Sequence, residues 1–218
     1  MRRRAKRALS LLQAGLVEHF TLIEIADERI NAGRARAQQL GVSERATFIP
    51  TSKYLSISDQ YGLVYWNNSL HHMPDCTAAV EWSAERLACN GLFAMDDFIG
   101  PSRFQWTERM LDYCNTFRRN LPSEVLAGAK PVTRPTIERM LDVDPSEAAD
   151  SSSIVPALKS VFPRVDIAFT GGTIYHLALN DILAKIQDES QELKAALMID
   201  DALSLMGENH YAVALSVQ

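Results

Sequence analysis

The stretch LIEIADERINAGRARAQQLGV, residues 22–42, decides how this chain folds. It opens in a β-rich run, FTLIEIA at 20–26, and turns at once into a helical pattern, ERINAGRARAQQLG, closed by Gly41. Asp27 stands where a helix N-cap is wanted, because its carboxylate can accept the N–H groups that the first helical turn leaves unpaired. Glycine at a helix end accepts the left-handed conformation that other residues resist. A strand running directly into a helix is the unit of parallel sheets. At that junction Glu24 places a carboxylate at the carboxyl end of the strand. Open α/β sheets bind ligands at this edge, and an acidic residue there accepts hydrogen bonds from a ribose diol. The plainer reading is a solvated strand end.

Outward from that junction the pattern repeats. Upstream, Ala8, Leu9, Leu11, Leu12, Leu16 and Val17 recur at helical spacing, with Gly15 as a stop. Downstream, RATFIP (45–50) reads as a strand ended by Pro50, and YGLVYWN (61–67) as a strand covered on both faces. Residues 75–89 form an amphipathic helix capped by Asp75; a turn at Asn90-Gly91 then leads to the buried strand LFAMDDF (92–98). Helix and strand alternating with short connections predict an α/β fold: a doubly wound, mostly parallel sheet flanked by helices. The second half is less regular. Residues 103–121 read as a helix, and 122–151 as an excursion with one short helix near TIERML. SSSIVPALKSVF begins another helix, RVDIAFTGG is a strand, TIYHLALNDILAKI and SQELKAALMIDDALSLMG are helices, and YAVALSVQ alternates like a final strand. The expected organisation is a single domain over 1–218, with a helical excursion at about 103–160 and two inserted helices at about 173–207.

Composition narrows the partners. The chain has 218 residues, 47% hydrophobic and 22% charged, which suits a globular protein with a sizeable core. Net charge is −5, and Arg2, Arg3, Arg4, Lys6 and Arg7 mask a more acidic body, in which 17 basic residues face 27 acidic ones. Such a body repels a phosphate backbone, so nucleic acid is not an expected partner. The basic start imitates a targeting segment, but Gln13, Glu18 and His19 break the apolar run and no small-residue cleavage site comes after them. No run is long enough to span a membrane. Cys76, Cys89 and Cys114 form no CxxC and no zinc spacing, and read as thiols of a reducing, cytoplasmic setting.

Two further polar clusters fall at strand ends. In VYWNNSLHHMPD (64–75) the adjacent His71 and His72 invite a metal reading. Neighbouring strand residues point to opposite faces, and no HxxxH spacing accompanies them, so no metal is expected. A ligand-lining role or a general base suits a side chain that titrates near neutrality. In FAMDDFIGPSRFQW (93–106) Asp96 and Asp97 end a buried strand, while Phe98, Phe104 and Trp106 are placed to wall a cavity. Paired carboxylates suit acid–base work but also serve as loop caps.

Together, residues 9–98 resemble class I S-adenosylmethionine (SAM)-dependent methyltransferases. The resemblance rests on LIEIADERINAGRARAQQLGV, ATFIPTSKY, YGLVYWNNSLHHMPD and AAVEWSAERLACNGLFAMDDF, in that order and at that spacing. RVDIAFTGG and YAVALSVQ are similar to the sixth and the antiparallel seventh strand of that fold, and DPSEA and GPSRFQW to stretches of one bacterial subgroup. The resemblance implies that Glu24, with Ile25 and Arg29 beside it, meets the ribose hydroxyls. It places Thr51 and Ser52 near the adenine, where many members have an acidic residue that this chain lacks. Asn67, Asn68 and Ser69 would lie beside the methionine part, and His71, His72 and Asp97 would face the acceptor. Gly62 replaces a common Asp.

The family's glycine-rich turn after a first strand does not occur here; the first glycine is Gly15. The activity that the resemblance implies is methyl transfer from SAM to a small molecule, giving S-adenosylhomocysteine. The alternative is a catalytically inactive methyltransferase-like binding or partner protein. A nicotinamide enzyme would need the same missing glycines. A sheet without its central strand would leave open edges, so homo-oligomerisation or strand exchange is expected.

Overall fold

The computed structural model describes residues 3–218, so Met1 and Arg2, the start of the basic run, lie outside the described residues. The chain forms two compact units, Met1–Asp59 and Gln60–Gln218. In the first, α1 (Arg3–Gln13), β1 (Phe20–Glu24), α2 (Asp27–Gln39) and β2 (Ala46–Pro50) succeed one another. β1 and β2 pair in parallel, from Phe20 opposite Ala46 to Glu24 opposite Pro50. Leu9 and Leu12 of α1, Ile30 and Ala37 of α2, Val42 and Phe48 make the core, and Phe20 meets Phe48 edge to face at 5.5 Å. Gly15 and Gly41 take φ of +68° and +67°, the left-handed stops read from sequence.

One detail differs. β1 ends at Glu24 rather than at 26, and the α2 cap is Ala26, whose methyl group can accept no hydrogen bond. Asp27 instead sits in the first turn, where a negative charge still suits the helix dipole. The cause is Glu24, whose Oε1 accepts the N–H groups of Ile25 (2.9 Å) and Ala26 (3.2 Å) and so pulls the backbone out of the extended ladder.

The second unit holds β3 (Tyr61–Asn67), α3 (Cys76–Glu85), β4 (Leu87–Phe98), α4 (Glu108–Arg119), α5 (Ser123–Leu126), α6 (Ile137–Val143), α7 (Ile154–Val161), β5 (Asp166–Phe169), α8 (Gln191–Leu205) and β6 (Tyr211–Val217). Its sheet has the order β3-β4-β6-β5. β3 and β4 are parallel, and β6 runs against both β4 and β5, so the last strand alone is reversed. One face is buried through Phe93, Met95, Asp97, Ala212 and Ala214.

The other face departs from expectation. Leu63 and Tyr65 of β3 are 41% and 43% exposed, and β3 has a strand neighbour on one side alone among the described residues. Register aligns them, across β4, with Val217 and Leu215, which are exposed as well. The apolar run 61–67 is therefore not covered on both faces.

Three helical expectations are revised. α3 stops at Glu85, because the chain pairs from Leu87 onward as strand and carries the Asn90-Gly91 bend inside β4, with Asn90 at φ +60°. α4 starts at Glu108 under a Thr107 cap, since Arg103 and Phe104 are both left-handed and turn the chain first. Residues 173–186 form a π-helical turn (Thr173–Ala178) and a short 3-10 turn rather than one helix. Gly171 and Gly172, at φ +66° and +93°, set the entry. The buried Asp200 carboxylate then takes the N–H groups of Ile174 (2.6 Å) and Tyr175 (2.8 Å). Arg118 of α4 holds this turn from the other side, donating Nε to the Ala178 carbonyl at 2.7 Å.

All three cysteines are free thiols. Cys76 and Cys114 are buried, and burial pushes both thiols up, Cys114 to about 12. Among the described residues no helix is long and apolar enough to cross a membrane.

Candidate functional site

In the first unit the polar end of β1 is built around Glu24, 7% exposed. Its Oε1 also accepts Arg29 Nη1 at 3.1 Å. All three bonds fall on one oxygen, so among the described residues Oε2 has no hydrogen-bond partner and stays open to a donor. Ile25, next to it, is exposed, and Thr51 and Ser52 begin the 3-10 turn Thr51–Ser56 after β2.

In the second unit the turn after β3 wraps the end of β4. Asn67 Nδ2 donates to Asp96 Oδ2 at 3.2 Å, and Asn68, at φ +47°, donates its N–H to the Asp96 carbonyl. Ser69 Oγ accepts the Asn67 N–H at 3.2 Å. Asp97 is wholly buried. Its Oδ2 accepts the N–H groups of Ser69 and Leu70, each at 2.8 Å, and its Oδ1 accepts the Phe98 N–H and pairs closely with His71 Nδ1. A carboxylate so occupied acts through the histidine rather than on a ligand. With the proton on Nδ1, His71 presents a basic Nε2, which lies 3.6 Å from Glu147 Oε1.

His72 is tied differently. Its Nδ1 lies 3.1 Å from Ser146 Oγ, while that hydroxyl donates to Asp144 Oδ1 at 2.7 Å. The bond holds the Asp144 carboxyl below its ordinary range. Burial, and then the charge of His71, lower His72 and keep it neutral near pH 7. The two histidines occupy a 3-10 turn, Leu70–His72, not a strand. Their rings therefore lie side by side, centroids 4.1 Å apart and tilted 40°, instead of facing opposite ways. The alternating-face reason for setting a shared ion aside does not hold here: a ring nitrogen of each histidine and a carboxylate oxygen of Glu147 lie within 4.8 Å of one another.

Below the histidines lies an aromatic cluster centred on Phe98, whose ring is 6.0 Å from His71, 5.4 Å from Phe104 and 6.2 Å from Trp106. Two further histidines complete it. His176 of the π-helical turn is 5.6 Å from Phe98, and His210 stacks on Trp106 at 4.9 Å. Burial lowers His176 to about 4 and His210 to about 3, and it raises the neighbouring Tyr211 to about 12. Both ring nitrogens of His210 and Nδ1 of His176 lack hydrogen-bond partners among the described residues.

The structure thus gathers Asn67, Asn68, Ser69, His71, His72 and Asp97 at one sheet edge of the second unit, and Glu24, Ile25, Arg29, Thr51 and Ser52 at the corresponding edge of the first. Sequence reading missed Asp144, Ser146, Glu147, His176 and His210. Its signal for the first three was DPSEA, conspicuous as a motif but 74 residues from His72 and inside a stretch read as an excursion.

No family model matches the chain, and no curated protein matches it. Solved structures do. A geranyl diphosphate C-methyltransferase from Streptomyces coelicolor A3(2), in complex with Mg2+, geranyl diphosphate and S-adenosyl-L-homocysteine, aligns with a TM-score of 0.52 at 11% identity, over 95% of this chain and 67% of its own. The [4+2]-cyclase SpnF aligns with 0.52 at 13% identity, over 97% and 70%. A geranyl diphosphate methyltransferase in complex with SAM aligns with 0.50 at 11% identity, over 91% and 68%. The chain has the class I methyltransferase-like fold. A cyclase shares it, so the fold alone does not name the reaction.

Proposed function

We propose that this chain transfers the methyl group of SAM to a small-molecule acceptor. The observation that carries the reading is the buried Asp97–His71 pair at the carboxyl end of β4, in a sheet of methyltransferase-like topology. SAM as cofactor is supported by the methyltransferase neighbours solved with SAM or S-adenosyl-L-homocysteine. Free thiols fit a cytoplasmic setting.

The sulfonium already activates the methyl group, so the protein has two tasks: to hold the acceptor in line, and to manage its proton. A lone pair of the acceptor attacks the methyl carbon. The S–CH3 bond breaks, its electrons return to sulfur as S-adenosylhomocysteine forms, and the acceptor's proton passes to a basic nitrogen of the His71–His72 pair. Asp97 keeps the His71 tautomer correct for this. Asn67, Asn68 and Ser69 are assigned to the methionine part, Thr51 and Ser52 to the adenine, and Glu24 to the ribose, with Ile25 and Arg29 beside it. The open Oε2 of Glu24 is the acceptor that a ribose hydroxyl needs.

Calorimetric titration with SAM tests this directly. The expected result is saturable binding, weakened about 10- to 100-fold in Glu24→Ala, the loss of one hydrogen bond to a charged group. Absence of binding, or equal affinity in the variant, would overturn the assignment. SAM binding without turnover on any acceptor would favour the inactive, binding-only reading.

A further inference from the structure

We propose that His71, His72 and Glu147 hold a divalent transition-metal ion, and that the acceptor is an oxygen donor that coordinates it. The three side chains converge, with ligand atoms within 4.8 Å of one another and His71 Nε2 3.6 Å from the Glu147 carboxylate. Two imidazoles and one carboxylate are the donor set of catalytic zinc and of non-haem iron sites, which keep positions open for substrate. Magnesium prefers oxygen ligands and is poorly served here.

The surroundings match a metal site more closely than the three ligands alone. Metal-binding histidines usually give their second ring nitrogen to a carboxylate or another fixed acceptor, which sets the tautomer and raises the basicity of the first. Both histidines do so. His71 Nδ1 is bonded to the buried Asp97. His72 Nδ1 meets Ser146 Oγ, whose own proton is committed to Asp144, so the hydroxyl is the acceptor and His72 Nε2 keeps the lone pair.

Glu147 is held through the backbone of its loop. Its loop, DPSEA, is sewn to the GPSRFQW turn: Arg103 Nη1 donates to the carbonyls of Pro145 (2.6 Å) and Glu147 (3.3 Å), and the Arg103 N–H to that of Ala148 (2.6 Å). The Ala149 N–H bonds the His71 carbonyl itself at 3.0 Å, which sets ligand and ligand loop in one frame. Arg103 and Ala148 hold left-handed φ of +53° and +46°, conformations that non-glycine residues adopt at a cost. The two motifs left without a role by the methyl-transfer reading thus act together, to bring a carboxylate onto the two histidines.

The ion would polarise an acceptor oxygen so that its proton leaves to solvent near neutral pH, in place of uptake by the histidines. The acceptor class rests on the methyl-transfer reading; the metal site does not.

Cobalt(II) titration of chelator-treated protein, monitored by visible absorption, is the test. One ion per chain is expected, displaced by zinc, with an affinity reduced at least ~10-fold in His72→Gln and in Glu147→Gln and reduced also in Ser146→Ala. His19→Gln, an exposed histidine of the first unit, should leave it unchanged. Acetohydroxamate, a bidentate oxygen donor, should alter the cobalt spectrum by entering the open positions. Failure to bind cobalt saturably, or equal affinity in the His72 and Glu147 variants, overturns the site; a spectrum indifferent to acetohydroxamate overturns the acceptor class. Far-ultraviolet circular dichroism of each variant confirms folding; Glu147 is partly exposed and its loss opens no cavity. SAM titration of the metal-free protein reads out separately, so failure of either reading is seen without the other.

Discussion

Asp97→Ala is expected to remove about 3–5 kcal/mol of stability from the second unit, the range for breaking a buried charged pair from one side. The carboxylate is wholly buried and serves three backbone N–H groups, from Ser69, Leu70 and Phe98, besides His71 Nδ1. Truncation leaves all of these donors without that partner. Domains of this size are stable by about 5–15 kcal/mol, so the loss is a large fraction of the total. Its neighbour is the control. Asp96 is half-buried and accepts a single bond from Asn67 Nδ2, so Asp96→Ala should cost about 1 kcal/mol. Urea denaturation monitored by tryptophan fluorescence reads the right unit, because Trp66, Trp82 and Trp106 all belong to it. Similar midpoints for the two variants would sink the argument.

The second large effect is a loss of stability in mild acid. His176 and His210 are lowered to about 4 and about 3 by burial, against about 6.5 for an exposed histidine. Between these values the unfolded chain binds protons that the folded chain does not, so stability is full above about pH 7 and falls as pH drops through 6.5 toward 4. Each histidine withdraws about 1.4 kcal/mol per pH unit, so a drop from pH 7 to pH 5 costs about 2 kcal/mol for each. The charges facing them act in known directions: protonated His71 opposes charging of His176, and His176 opposes that of His210. Asp200, raised by its burial, works the other way and adds stability as the carboxylate range is entered. Urea midpoints at pH 7, 6 and 5 should show the slope, and His210→Phe should roughly halve it. An unchanged slope in that variant would discard the explanation.

How much of this was legible depends on distance along the chain. Glu24 and Gly41 were readable because strand end, carboxylate and helix stop fall within 20 residues, where local geometry decides. The same holds for the Asp75 cap. The two aspartates of β4 looked equivalent in sequence; they differ because strand alternation sends Asp97 to the buried face, beneath the turn that carries its donors. The histidine pair was misjudged through the wrong local frame, since a 3-10 turn brings together what a strand would separate. Glu147 was out of reach altogether. Nothing in DPSEA announces His71, and their meeting depends on Arg103 bending the chain and fastening the loop carbonyls. The π-helical turn escaped for a related reason, because Asp200, which rearranges its first N–H groups, lies 25 residues or more downstream.

The strand order of the second unit also has a temporal consequence. β6 lies between β4 and β5, and β5 has no other strand neighbour among the described residues. β5 therefore cannot join the sheet until residues 211–217 have been synthesised, whereas the first unit, contiguous and finished by residue 59, has all its pairings in hand early. During translation the carboxyl edge carrying Asp97 waits beside an unfilled slot in the sheet. The π-helical turn carrying His176 gains its support, the Asp200 carboxylate and the Glu208 carbonyl to which Thr173 donates, only well after its own residues have left the ribosome.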